Sequence, residues 1–191
     1  MKIKMNTQRN AFMALLLLVA VVLACSLGDE TDKANKLVND ANTALTDGKK
    51  FLEEGDAKKT KMLEAIPEIS SEAELEAARV IAKDCISSYD KAIAKYKEAA
   101  QKSDEAAKLK LNEKFKDYLT LKGKEYNKRV EIFEAMKGVP QALIDSPKKA
   151  AFETAVSAVK TKVDALVKEA DDLAAQADKI QKDNPDKIKA A

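Results

Sequence analysis

Histidine is absent from the 191-residue sequence, and Cys25 and Cys85 are its two thiols. Without an imidazole the chain lacks the commonest general base, the commonest zinc and haem ligand, and the usual switch near neutral pH. Carboxylate-bridged metal sites in helical bundles draw on Glu-x-x-His pairs, which cannot occur here. The acidic pairs Glu53-Glu54 and Asp171-Asp172 fall outside the apolar stripes and read as solvated surface. No Ser/His/Asp set, Gly-rich phosphate loop, CxxC pair or zinc spacing is found. Lys59, Lys122 and Arg129 stand on or beside apolar seams, where they could hold an anion. The expectation is that their stems are buried and their heads stay in water. Cys85 lies between Ala82 and Tyr89 on an apolar stripe, with no basic cluster on its own face. It reads as a small buried hydrophobe, with an intermolecular disulfide or redox chemistry as alternatives. No catalytic, cofactor-binding or metal-ligating residue is expected, and no cofactor.

The other cysteine sits in a different context. Residues 1–10 carry Lys2, Lys4 and Arg9 without an acid, and Ala11 to Ala24 is apolar throughout. That run is shorter than the ~20 residues needed to span a bilayer core. A basic start, a short apolar run and a small residue before a polar break describe a secretory signal. Its last residues, Val22-Leu23-Ala24-Cys25, resemble the lipobox of bacterial lipoproteins. The resemblance implies diacylglycerol on the Cys25 thiol, cleavage after Ala24 and acylation of the new amino group. It covers about the first 25 residues and extends no further. Two or three acyl chains, at ~0.8 kcal/mol per buried CH₂, would make membrane residence effectively permanent. Ser26 follows the cysteine, where many Gram-negative lipoproteins kept at the inner membrane have Asp. The resemblance therefore implies a lipid-anchored place in the cell envelope, at the outer membrane facing the periplasm if the organism is Gram-negative.

Charge and composition agree with an exported helical chain. The 34 basic and 32 acidic side chains give +2, but three of the basic ones precede Ala11, so the rest balances at 31 against 32. A near-neutral domain has no net field to attract nucleic acid or an anionic bilayer, and no nucleic acid is expected as a partner. Gly and Pro are scarce at 5 and 4 residues, while Ala, Lys, Glu, Asp and Leu dominate, which favours long helices.

Four amphipathic stretches must position whatever the domain presents. The first carries Ala34, Val38, Ala41, Leu45, Gly48, Leu52, Gly55, Lys59, Met62 and Ile66 at alternating spacings of three and four, and Pro67 ends it. Ser71 with Glu74 three residues on predicts a capping box opening the second. Its stripe is Leu75, Ala78, Ala82, Cys85, Tyr89, Ala92, Tyr96 and Ala99. The third runs from Leu111/Asn112 through Phe115, Leu119, Lys122, Tyr126, Val130 and Phe133 to about Met136, closed by Gly138 and Pro140. Ser146 caps the fourth, with Pro147 at its first position. Phe152, Val156, Val159, Val163, Leu166, Ala170, Leu173, Ala177 and Ile180 give that helix the cleanest stripe.

No Gly or Pro marks the join between the second and third stretches. Continuing the second stripe would place inward residues near 106, 110, 113 and 117, whereas the third uses 112, 115 and 119. A two-residue slip rotates the face by about 200°. A single helix would bury opposite sides in its two halves, so a reversal is expected near Gln101 to Asp104, capped by Ser103 or Asp104. Within this stretch, Tyr89 to Ala100 resembles the second helix of a tetratricopeptide repeat. The dozen residues do not recur at a ~34-residue period, and an Ala- and Tyr-rich amphipathic helix gives the same string.

The expected fold is all-α, an up-down-up-down four-helix bundle with coiled-coil-like heptad packing. A longer helical hairpin that dimerises is the alternative. The expected organisation is a lipoprotein signal peptide over 1–24, a lipidated tether over 25–30, a bundle over 31–182 and a frayed tail over 183–191. The expected function is a non-catalytic, membrane-tethered protein-binding or structural module. Its partners would be a membrane, through lipid on Cys25, and a protein; a homo-oligomer is possible. An apolar-ligand carrier, or a subunit anchoring an envelope complex, are the alternatives.

Overall fold

Each apolar stripe folds as a helix whose buried face is the one the 3.6-residue repeat selects. The computed structural model describes residues 30–145 and 149–188. Cys25, the signal region and the cap assigned to Ser146 and Pro147 lie outside them. The elements are α1 (Thr31–Ala65), a 3-10 turn (Ile66–Glu68), α2 (Glu72–Ala107), α3 (Glu113–Met136), α4 (Gly138–Asp145) and α5 (Lys149–Asp183). Among the described residues the chain is all-α, and no helix is long and apolar enough to cross a membrane.

Helices α1 and α2 form an antiparallel hairpin through the turn that Pro67 starts. Ser71 opens α2 with both halves of a capping box: its hydroxyl accepts from the Glu74 N–H, and the Glu74 carboxylate accepts from the Ser71 N–H at 2.9 Å. The α1–α2 seam is close. A Cβ at Gly48 would lie 2.8 Å from Tyr96 Cδ2, and one at Gly55 would lie 2.7 Å from Tyr89 Cε1. Both glycines therefore sit where a neighbouring ring fills the space of a side chain. Tyr96 also meets Phe133 of α3 edge-on at 4.8 Å between centroids.

The reversal after α2 lies later than the stripe shift predicts. Ser103 remains inside α2, buried, with its hydroxyl donating to the Ala99 carbonyl at 3.1 Å. The chain turns over residues 108–112, and Asn112 caps α3 by accepting from the Phe115 N–H at 3.0 Å. Neither Ser103 nor Asp104 is the cap. The physical reason is that Ala106 and Ala107 extend the helix at no cost in side-chain entropy, and Leu111 still reaches the core from the turn.

The third helix ends at Met136, as expected, but Gly138 and Pro140 do more than close it. A separate helix, α4, begins at Gly138, and Pro140 occupies its first turn, where the missing N–H has no partner to lose. Val139, Pro140 and Leu143 are buried. Val139 and Leu143 join Met62, Leu75, Ala78, Ala82 and Phe152 in a second core cluster at the far end.

The packing order follows the chain: α1 on α2, α2 on α3, α3 on α5, with α4 bridging α2 and α5. The fourth long helix thus rests on α3 and α4, and has no substantial contact with α1. Val156, Val159, Val163, Leu173 and Ile180 are half-buried for that reason. The expected frayed tail over 183–191 is corrected as far as residue 188. Lys187 and Ile188 N–H donate to the Asn184 carbonyl, and Ile188 is 2% exposed in the main core. Pro185 stops the helix, but the next apolar side chain still finds a buried site.

One end of the bundle gathers both ends of the described chain. Glu30 N–H donates to the Lys110 carbonyl at 3.1 Å, and the Lys110 N–H returns a bond to Glu30 Oε2 at 3.0 Å. Asn112 Nδ2 donates to the Lys187 carbonyl at 3.3 Å. The start of α1, the α2–α3 turn and the tail are tied together there.

Candidate functional site

Two polar clusters lie inside the bundle, and each contains residues that the sequence singles out. The first lies on the α1–α2 seam. Cys85 is fully buried, and its thiol donates to the Gly55 carbonyl at 3.3 Å. Tyr89 Oη donates to Asp56 Oδ1 at 2.8 Å, and Lys59 Nζ reaches the same oxygen at 2.6 Å. Lys58 Nζ donates across the seam to Ser88 Oγ at 2.9 Å. Burial pushes the Cys85 thiol up from 9.0 to about 11, and the nearby Lys59 ammonium only partly offsets this. Burial, and then the Asp56 carboxylate, likewise hold the Tyr89 phenol far above its usual range. The thiol is therefore protonated at neutral pH, and the reactive form is the thiolate. Cys85 is buried as its position on the stripe predicts.

The second cluster joins α3 to α5. Lys122 is 7% exposed and Glu125 is 3% exposed, and the Lys122 ammonium pairs with the Glu125 carboxylate. The other Glu125 oxygen accepts from Arg129 Nη2 at 3.5 Å, and Arg129 continues to Asp171 on α5 at 3.0 Å. Lys122 Nζ also lies 5.0 Å from the centre of the Tyr126 ring. Lys128 binds Glu169 at 3.0 Å on the same interface.

These positions correct the expectation that the Lys122 head stays in water. Its partner stands one turn on, on the same buried face, so neutralisation replaces hydration. Glu125 is the residue that sequence reasoning misses. The i,i+3 pairing of opposite charges, with the lysine already on a seam, was the available signal. Lys59 and Arg129 are only partly exposed and are paired, to Asp56 and to Asp171. Glu53, Glu54, Asp171 and Asp172 are exposed, with Asp171 serving as the Arg129 partner.

Chemically, both clusters direct their charges toward each other. The Lys122 ammonium and the Arg129 guanidinium are held by Glu125 and Asp171, which an anion would have to displace. The segment that resembles a tetratricopeptide helix is an uninterrupted part of α2, packed on α1 and α3 with no turn before it. Among the described residues, no group of three or more Cys, Asp or Glu is placed to hold a metal ion. Comparison with protein-family models, curated proteins and solved structures gives no match to this chain.

Proposed function

We propose that this chain is a lipid-anchored envelope lipoprotein, a non-catalytic helical bundle that acts as a protein-binding or structural module. The observation that carries the reading is the tetrapeptide Val22-Leu23-Ala24-Cys25 at the end of the apolar run, five residues ahead of Glu30. Lipid at that cysteine would tether the domain by the end where Glu30 meets Lys110.

The non-catalytic part of the reading is supported by how the polar side chains are used. Cys85 is protonated and bonded to a carbonyl, and Lys122 and Arg129 are neutralised by carboxylates. These groups link helices, which is what a stiff scaffold needs. The close α1–α2 seam, where tyrosine rings pack against Gly48 and Gly55, argues against a carrier that must part those helices around an apolar ligand. Surface for a partner is supplied by the outer helix faces.

Metabolic labelling with fatty acid tests the anchor. The wild-type chain takes up label and loses residues 1–24, and Cys25→Ser accumulates as an unlabelled precursor. Label in the Cys25→Ser chain, or a mature product that starts elsewhere, overturns the reading. Crosslinking in the native membrane then identifies the partner.

A further inference from the structure

Helix α5 is long but shallowly seated. It spans 35 residues, and among its described side chains those buried are Phe152, Leu166, Ala170 and Ala177. Helix α1, of the same length, buries eight residues, and α3, with 24, buries twelve. Two of the four on α5 are alanines, which remove little apolar surface from water. Val156, Val159, Val163, Val167, Leu173 and Ile180 stay half-buried, because α3 and α4 are the helices that α5 meets. The main core is built chiefly by α1, α2 and α3, and α5 gives it Leu166, Ala170 and Ala177.

The contacts beneath α5 are charged as well as apolar. Lys122, Glu125 and Arg129 recur at spacings of three and four, so they share the α3 face that meets Asp171. A buried pair such as Lys122–Glu125 contributes little net cohesion, since the attraction offsets what the two charges lose in leaving water. Both groups regain water when α5 lifts. The two pairs that cross the seam, Arg129–Asp171 and Lys128–Glu169, end on carboxylates that are 59% exposed, where an ion pair adds little. The α1–α2 seam differs: tyrosine rings fill the space over Gly48 and Gly55, and Cys85 bonds across it. Phe152 in the second cluster and Ile188 in the main one pin the two ends of α5 and its tail.

We infer that α5, with the tail to Ile188, is a detachable arm: it leaves α3 and α4 as one unit while α1, α2 and α3 stay packed. Proteins open locally in such cooperative units, and the units with few buried apolar contacts open at the lowest cost. Opening bares the apolar stripe of α5 and the α3 face that carries Lys122, Glu125 and Arg129. The closed bundle withholds both surfaces from a partner. Lipid at Cys25 plays no part in this motion.

Hydrogen exchange of the full chain, read residue by residue in low urea, tests the arm. The amides of residues 153–183 exchange through one shared opening, at least about tenfold faster than those at the middle of α2. Cys85→Ala weakens the α1–α2 seam and speeds the α2 amides by about fivefold. It leaves the α5 rate unchanged, because that seam is intact in both the closed and the open form. Glu169→Gln with Asp171→Asn, at two exposed positions, speeds the α5 amides by about threefold. Exchange of α5 at the α2 rate overturns the inference, because the helix then leaves only when the whole chain unfolds. Equal acceleration of both helices by Cys85→Ala overturns it for the same reason. So does fast exchange confined to the ends of α5, with residues 163–177 as slow as α2, which is fraying.

Discussion

At the residue scale, the buried thiol makes the chain's stability depend on alkaline pH. Cys85 ionises at about 11 in the folded protein against an ordinary 9.0, because burial disfavours the thiolate. As pH rises, the unfolded chain loses this proton first. The contribution is complete below about pH 9 and is lost between pH 9 and about 11, at roughly 2–3 kcal/mol in all. Tyr96, pushed up to about 12 by burial, has the same sign at higher pH. Urea unfolding from about pH 8 to about pH 11 should show midpoints falling steadily above pH 9, with a shallower fall in Cys85→Ala. Parallel slopes in the two proteins would mean that the thiol is not buried in solution. The burial of Cys85 was legible because one cysteine on an apolar stripe behaves as any small hydrophobe. Lys122 was not legible in the same way, since its environment depends on Glu125 being buried beside it, and a sequence shows both as charges that belong in water.

At the scale of elements, cap chemistry separates a boundary that could be read from one that could not. Ser71 and Glu74 satisfy each other's backbone N–H groups within four residues, so the start of α2 is encoded locally. The end of α2 is not. The shift in the stripe correctly requires a reversal, but Ser103 is as good a cap residue as Asn112, and only the packing of Ala106 and Leu111 decides between them. The two serines should therefore respond differently to truncation. Ser71→Ala should lower the unfolding free energy by about 1 kcal/mol, as loss of an N-cap does. Ser103→Ala should stay within about 0.5 kcal/mol of wild type, because the lost bond to Ala99 is offset by better helix propensity. Urea denaturation of both variants at neutral pH checks the pair. Equal losses would move the helix start back to Ser103. Helix α4 was unreadable for a related reason: a proline that ends one helix and a proline in the first turn of the next look alike in sequence.

For the whole molecule, four apolar stripes fix the number of long helices but not which of them touch. The fourth stripe has the most regular period, yet five of its seven large residues are only half-buried, because α5 has α3 and α4 as neighbours and little contact with α1. Period reports the direction of a buried face; the depth of burial depends on how many neighbours that face meets. The serial order of packing, together with the ties among Glu30, Lys110, Asn112 and Lys187, sets the long dimension by α1, α2 and α5, of 35, 36 and 35 residues. At 1.5 Å per residue that is about 52 Å. Small-angle scattering from residues 26–191, in dilute solution and free of lipid, should give a maximum dimension close to that of one such helix with its end groups. A value near ~100 Å would mean that α2 and α3 run on as one helix, in a longer hairpin that completes its core by pairing with a second chain. A value that rises with concentration from the shorter length would leave this fold intact and place self-association on the outer helix faces.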